Sequence, residues 1–311
     1  MKKIIAIIAL LLAFSFVLTG CGEGDKKNET TTAEVTTAAE EQTPAETYDE
    51  NGHITLTYNG KGVEGDGAVE YEVTSRYTQN KTIEITIPEN QHFLAVTIAK
   101  GVLPESIVYL KSNKFSYTVP SFSGSYPPEL SQKGCIISAR IPTVEELKAN
   151  HNLAQNCCDL LSAKTVFPHA ATNNTYTDAP EWMARNIIDS YVQNTAHGTY
   201  PYQSWGPSMN VSSKDYIKID FGHEVSINEL VLYIRADFPH DAFWDSCTVE
   251  FSDGSTMELS IKGQAKKQPF KFGEPITTSS LKFTKFNKSK NSQGDWAAWV
   301  ELQVNGSELI G

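Results

Sequence analysis

Short runs of alternating apolar and polar residues, separated by turn signals, fill most of this 311-residue sequence. Ile54-Thr55-Leu56-Thr57-Tyr58, Val69-Glu70-Tyr71-Glu72-Val73 and Ile83-Glu84-Ile85-Thr86-Ile87 each send alternate side chains to opposite faces, which is the period of a strand. Residues 93–98, 107–110, 115–119 and 135–141 continue the series, with Asn59-Gly60, Glu64-Gly65-Asp66-Gly67 and Pro88-Glu89-Asn90 as turns between them. Pro142-Thr143-Val144-Glu145-Glu146-Leu147 reads as the start of one short helix, capped at or beside Thr143. Beyond it, Tyr216-Ile217-Lys218-Ile219-Asp220-Phe221 alternates again, and Leu230-Val231-Leu232-Tyr233-Ile234 reads as a buried strand. Residues 247–251, 257–261, 281–286 and 299–304 complete the set, with Asp253-Gly254 as a hairpin signal. The expectation is an all-β chain: an N-terminal β-sandwich over residues 49–150 and a second β-sandwich over 151–311.

The first 48 residues stand apart from this pattern. Lys2 and Lys3 precede an apolar run over residues 4–18 that only Ser15 interrupts. At about 1.5 Å per helical residue the run is short for a hydrocarbon core of roughly 30 Å, and it reads as the apolar region of a signal peptide over residues 1–20. Leu18-Thr19-Gly20-Cys21 resembles the bacterial lipobox, and the resemblance implies that Cys21 becomes a lipidated N-terminus. Residues 21–48 are rich in Thr, Glu and Ala and poor in large apolar side chains; they read as a disordered tether, because burial there cannot offset the entropy of ordering. The expected location is therefore the membrane, by lipid anchor only, with the folded part outside the cytoplasm.

The formal net charge is -11, and loss of Lys2 and Lys3 makes it more negative. An acidic chain argues against a nucleic-acid partner, which needs a basic surface. Outside the cytoplasm disulfides are possible among Cys135, Cys157, Cys158 and Cys247. A bond between the adjacent Cys157 and Cys158 would be strained, so either would sooner meet Cys135 or Cys247. The sequence does not choose a pairing, and free buried thiols stand as an equal alternative.

The second half also carries an ordered set of short stretches: Ala184-Arg185-Asn186-Ile187-Ile188-Asp189, Ser204-Trp205-Gly206-Pro207, Ile217-Lys218-Ile219-Asp220-Phe221-Gly222, Val225-Ser226-Ile227-Asn228-Glu229-Leu230, Thr248-Val249-Glu250-Phe251-Ser252-Asp253-Gly254-Ser255, and Trp299-Val300-Glu301-Leu302-Gln303-Val304-Asn305-Gly306. In this order, across residues 152–306, they resemble a discoidin, or coagulation-factor type C, domain. That is a galactose-binding-like jelly roll, similar to family 32 carbohydrate-binding modules. The resemblance implies a ligand site on loops at one end of the sandwich. It also implies a structural calcium held by Asp189, Glu301 and backbone carbonyls, since oxygen ligands suit calcium. The chain departs from the family pattern at Ser190, where glycine is usual, and this puts the metal in doubt.

Sugar recognition needs an aromatic face against the C–H side of the ring and planar polar groups at its hydroxyls. The loops offer that mixture in His197, Tyr202, Arg235, Asp237, His240, Asp241, Trp244 and Trp296. Each also has a structural reading: Arg235 and Asp237, two apart, suit a buried ion pair, and Trp205 and Trp299 suit the core. His197, His240, Asp237 and Asp241 lack the spacing of a transition-metal site. No nucleophile signature accompanies the carboxylates, so the expectation is not an enzyme but a non-catalytic carbohydrate-binding lipoprotein. A protein-interaction or adhesion module is the alternative, and an unrecognised glycan-active hydrolase the third.

Overall fold

The computed structural model describes residues 48–75, 80–121, 126, 129–130, 134–192, 204–208, 211–236, 242–292 and 294–310. Residues 1–47, which include Cys21 and the stretches read above as a signal peptide and a tether, lie outside the described residues. The described chain is β throughout, apart from short helical turns.

The first half supplies β1 (His53–Tyr58), β2 (Lys61–Asp66), β3 (Ala68–Val73), β4 (Thr82–Thr86), β5 (Phe93–Thr97), β6 (Ser106–Leu110), β7 (Lys114–Thr118) and β8 (Cys135–Arg140). They form two antiparallel sheets. One runs β2-β1-β4-β7, and the other carries β6-β5-β8-β3. The alternation read from the sequence is the reason: Ile54, Leu56, Ile83, Ile85, Phe115 and Tyr117 point inward and are buried, while His53, Glu84, Lys114 and Ser116 stay exposed. β5 is buried at every position, as befits a strand flanked on both sides by β6 and β8. β2 has no such alternation and is almost wholly exposed. It forms because Asn59 and Gly60 both adopt positive φ, 51° and 79°, the requirement of a tight hairpin whose twist matches its strands.

One helix follows, α1 (Val144–Lys148). Thr143 accepts the Glu146 amide, and the Glu146 carboxylate accepts the Thr143 amide, a reciprocal capping box. The same carboxylate takes a forked bond from Arg140 at 2.7 and 2.8 Å, and Arg140 also holds Glu105. The Arg140 hydrogen bonds pull the Glu146 carboxyl down to about 2, with the Thr143 amide adding to the effect.

The chain then shuttles between the two halves. β9 (His151–Asn152) edges the second sheet, and Leu153 and Ala154 enter the second core. Cys158 and Val166 pack into the first core, and β10 (Val166–Phe167) pairs with β6. The Gln155 amide donates to the Glu105 carbonyl at 2.6 Å, and the His223 ring stacks on Tyr109 with centroids 4.2 Å apart. Residues 46–311 form one compact unit through these contacts.

The second half is a single seven-stranded sheet. Its members are β9, β11 (His169–Thr172), β12 (Ile217–Ile234), β13 (Trp244–Phe251), β14 (Thr256–Ser260), β15 (Gln268–Lys288) and β16 (Trp299–Glu308). The two stretches read as separate strands, 216–221 and 230–234, are the ends of one strand. β12 and β15 are 18 and 21 residues long, and their pairing shifts register after Asp220 and again after Ile227. Such bulges bend a strand. Ile217, Ile219 and Phe221 from one end of β12, and Leu230, Leu232 and Ile234 from the other, therefore meet in one core. The sheet rolls on itself and makes both layers of the sandwich. Cys135, Cys157, Cys158 and Cys247 stand as free thiols.

Candidate functional site

Three loop segments meet at one end of the rolled sheet. The first enters a one-turn 3-10 helix through Pro180, whose missing N–H suits a first helical position. This turn ends at Trp182. The second is residues 204–208, where Trp205 bridges Trp299 with paired backbone bonds of 2.9 and 3.0 Å. The third is the approach to β16, residues 294–298. The buried Asn186 amide ties the first two together, donating to the Pro180 carbonyl at 2.7 Å and the Ser204 carbonyl at 3.2 Å. The Tyr176 amide donates to the Gly206 carbonyl at 2.7 Å, and the Gly206 amide to the Trp182 carbonyl at 3.3 Å.

This scaffold sets Tyr176, Trp182 and Trp296 around a depression of about 520 Å³, open mouth included. Tyr176 meets Trp182 edge-on with centroids 5.7 Å apart, and meets Trp296 at 5.2 Å and 57°. Tyr176 and Trp296 are 46% and 41% exposed, high values for large rings that could pack inward. Arg235, at the end of β12, forms a wall. Its guanidinium carbon lies 6.0 Å from the Trp182 ring, at the reach of a cation–π contact. Arg235 is only 5% exposed, so what the arrangement offers is chiefly flat apolar faces.

Of the loop residues singled out from sequence, Arg235 and Trp296 come together here. Trp244 is placed elsewhere: it is 4% exposed and stacked on Trp205 at 5.8 Å, beside Phe286 and Trp299, with only an edge on a neighbouring depression. Its position at the start of β13 turns it into the core. His197, Tyr202, Asp237, His240 and Asp241 lie outside the described residues. Sequence reasoning missed Tyr176 and Trp182. Trp182 ends a single 3-10 turn, which is too short to bury an indole.

Asp189 and Glu301 do meet. Glu301 is fully buried on β16, and its Oε2 accepts the Ser190 amide at 3.2 Å. The Tyr191 amide donates to Asp189 Oδ1 at 2.9 Å. Glu301 Oε1 and Ser190 Oγ are buried with no hydrogen-bond partner among the described residues. Burial raises the Asp189 carboxyl to about 7, and burial together with the Asp189 charge raises Glu301 well above the carboxylate range. Two buried acids with an orphaned oxygen fit a hard cation, which would relieve both. No group of three His, Cys, Asp or Glu side chains that could hold a metal converges among the described residues. Ser190 sits at φ 69°, the left-handed conformation for which glycine is suited, and serine adopts it here. Neither carboxylate lines the aromatic depression.

No protein-family model matches the chain, and no curated protein matches it. Solved structures similar to part of it include carbohydrate-binding modules. One is the family 32 module of Clostridium perfringens NanJ in complex with galactose, 15% identical over 44% of this chain and 91% of that one, with a TM-score of 0.34. A second, CpGH89CBM32-5 from Clostridium perfringens with GalNAc-β-1,3-galactose, is 16% identical over 43% and 92%, at 0.33. A chitosan-binding module of a Paenibacillus sp. IK-5 chitosanase/glucanase, with chitotriose, is 16% identical over 49% and 98%, also at 0.33.

Proposed function

We propose that this chain is a non-catalytic carbohydrate-binding lipoprotein of the bacterial cell surface, and that it reads a sugar with Tyr176, Trp182, Trp296 and Arg235. The observation that carries the reading is the convergence of three part-exposed aromatic rings, from two loops distant in sequence, on one depression bordered by Arg235. A sugar ring stacks its C–H face on Trp296 or Tyr176, with Arg235 bordering the site.

A glycan array at high protein density tests this. Wild type should give sugar-specific hits. Trp296→Ala and Trp182→Ala should each weaken the best hit about tenfold, the loss of one aromatic contact worth about 1.4 kcal/mol. A wild-type array without a hit overturns the reading.

Cys21 is the proposed anchor. Cys21→Ala should abolish acylation and release the chain from membranes; a variant still processed and membrane-bound would refute the anchor. Calcium is proposed between Asp189 and Glu301. When bound it supplies positive charge to a buried acidic pair, and so holds the residue 189–191 turn against β16.

A further inference from the structure

Strand β7 (Lys114–Thr118) lies at the end of its sheet. It pairs with β4, and no strand pairs with its other side among the described residues. The Ile87 amide donates to the Asn113 carbonyl at 3.0 Å, and the Val119 amide to the Lys81 carbonyl at 2.8 Å. Backbone groups of an antiparallel strand alternate in direction, so the odd positions from 113 to 119 bond to β4. The N–H and C=O groups of Lys114, Ser116 and Thr118 therefore point to the open edge.

That edge borders a hollow of about 900 Å³, open mouth included. Lys114, Ser116 and Thr118 line one side, and residues 162–165, the approach to β10, line the other. Phe115, Cys158 and Val166 of the first core, with the half-buried Leu160, supply its apolar part. The charged side chains that line it are Lys114 and Lys164, both exposed and neither paired with an acid among the described residues. Glu84 stands opposite Ser116 on β4, one strand back from the edge, and does not line the hollow. A positive hollow thus opens on a chain whose formal net charge is -11.

An unpaired edge presents donors and acceptors in turn, and another backbone satisfies both. A small anion would satisfy the donors alone. A second copy of this edge would bring its own Lys114 and Lys164 to the same seam, like charge against like. We propose that β7 is a docking edge that takes an extended, acidic peptide segment of a partner protein as an added strand. Carboxylates of the segment face Lys114 and Lys164, and its alternate side chains turn to Leu160 and Val166. At about 3.4 Å per residue β7 is roughly 17 Å long, so a segment of about five to seven residues spans it.

Fluorescence anisotropy on the full chain tests this with labelled nonapeptides. One alternates glutamate and valine, a second is the same peptide N-methylated at its glutamates, and a third alternates lysine and valine. Glutamates opposite Lys114, Ser116 and Thr118 turn their own backbone groups to β7, so methylation there removes the pairing donors and keeps the charge. The first peptide should bind about tenfold tighter than either of the others. Ser116→Pro removes an outward donor that β4 does not use; it should weaken the first peptide about tenfold and leave the circular dichroism spectrum unchanged. Lys114→Glu combined with Lys164→Glu should reverse the preference between the first and third peptides. Equal binding of the methylated peptide would leave charge attraction alone and overturn strand addition. An unreversed preference in the double variant would overturn the two lysines as its source. Binding to none of the peptides would overturn the docking edge. Dimerisation of the full chain in sedimentation, abolished by Ser116→Pro, would give the edge to a second copy and overturn the acidic partner.

Discussion

A β-carbon built on Gly206 would lie 2.5 Å from Cε3 of Trp182, closer than non-bonded carbons approach. The backbone of the 204–208 segment therefore serves as the surface on which the Trp182 ring rests, and the depression keeps its shape only while that position has no side chain. Gly206→Ala should displace the ring and weaken glycan binding by about tenfold, while the fold survives with a cost of about 1–3 kcal/mol from overpacking. Titration with the best array hit, beside a denaturant melt, checks both parts. Unchanged binding would show that Trp182 does not shape the site. Residue-scale reasoning from sequence reached Arg235 and Trp296, because a charged or aromatic side chain in a polar loop is conspicuous. It did not reach Tyr176, whose role depends on meeting Trp296 more than a hundred positions away.

At the scale of elements, α1 shows how local chemistry and tertiary contact combine. The stretch from Pro142 to Leu147, with its cap at or beside Thr143, was legible as a helix start. The forked bond from Arg140 to Glu146 was not, because Arg140 is brought there by β8. The consequence concerns pH. The Glu146 carboxyl titrates at about 2 when folded, below its ordinary value near 4.5. The folded chain thus binds fewer protons than the unfolded one between these values, so this stabilisation is complete above about pH 4.5 and is lost as pH falls through 2. The stability difference between wild type and Glu146→Gln should be largest at pH 5 to 7 and narrow steadily toward pH 2. Urea melts across that range test it, and a constant difference would rule out the charge as its source. Strands β1, β3, β4 and β7 were legible from period alone. β9, β10 and β11 were not, being two to four residues long, too short to display a period. The first half of β15 was missed for a different reason: its burial is broken by exposed residues, and pairing with β12 holds it in place.

The whole molecule is tied by contacts that join distant parts of the chain, and the Asp189–Glu301 pair is the most demanding of them. Two buried acids resist sharing a site as charged groups. If calcium occupies it, added calcium should raise the melting temperature of EDTA-treated protein by several degrees, as expected when a ligand binds only the folded state. Glu301→Gln should abolish the calcium response. A melting temperature indifferent to calcium and EDTA would remove the metal from the proposal.

The sequence by itself determined the all-β character, the inward set of each alternating strand, the distinct character of the first 48 residues, and the loops in which polar and aromatic residues gather. These are properties of neighbours along the chain, where a period of two or a helix cap is already visible. Only the tertiary structure decided which aromatic rings share a surface, that Trp244 belongs to the core, and that Glu301 is buried with an unpartnered oxygen beside Asp189. Those outcomes depend on the bulges in β12, which roll one sheet into two layers and bring residues 176, 182, 206, 235 and 296 to the same end. A bulge is a shift in register between two strands, and register is a relation between distant segments that no single stretch of sequence displays.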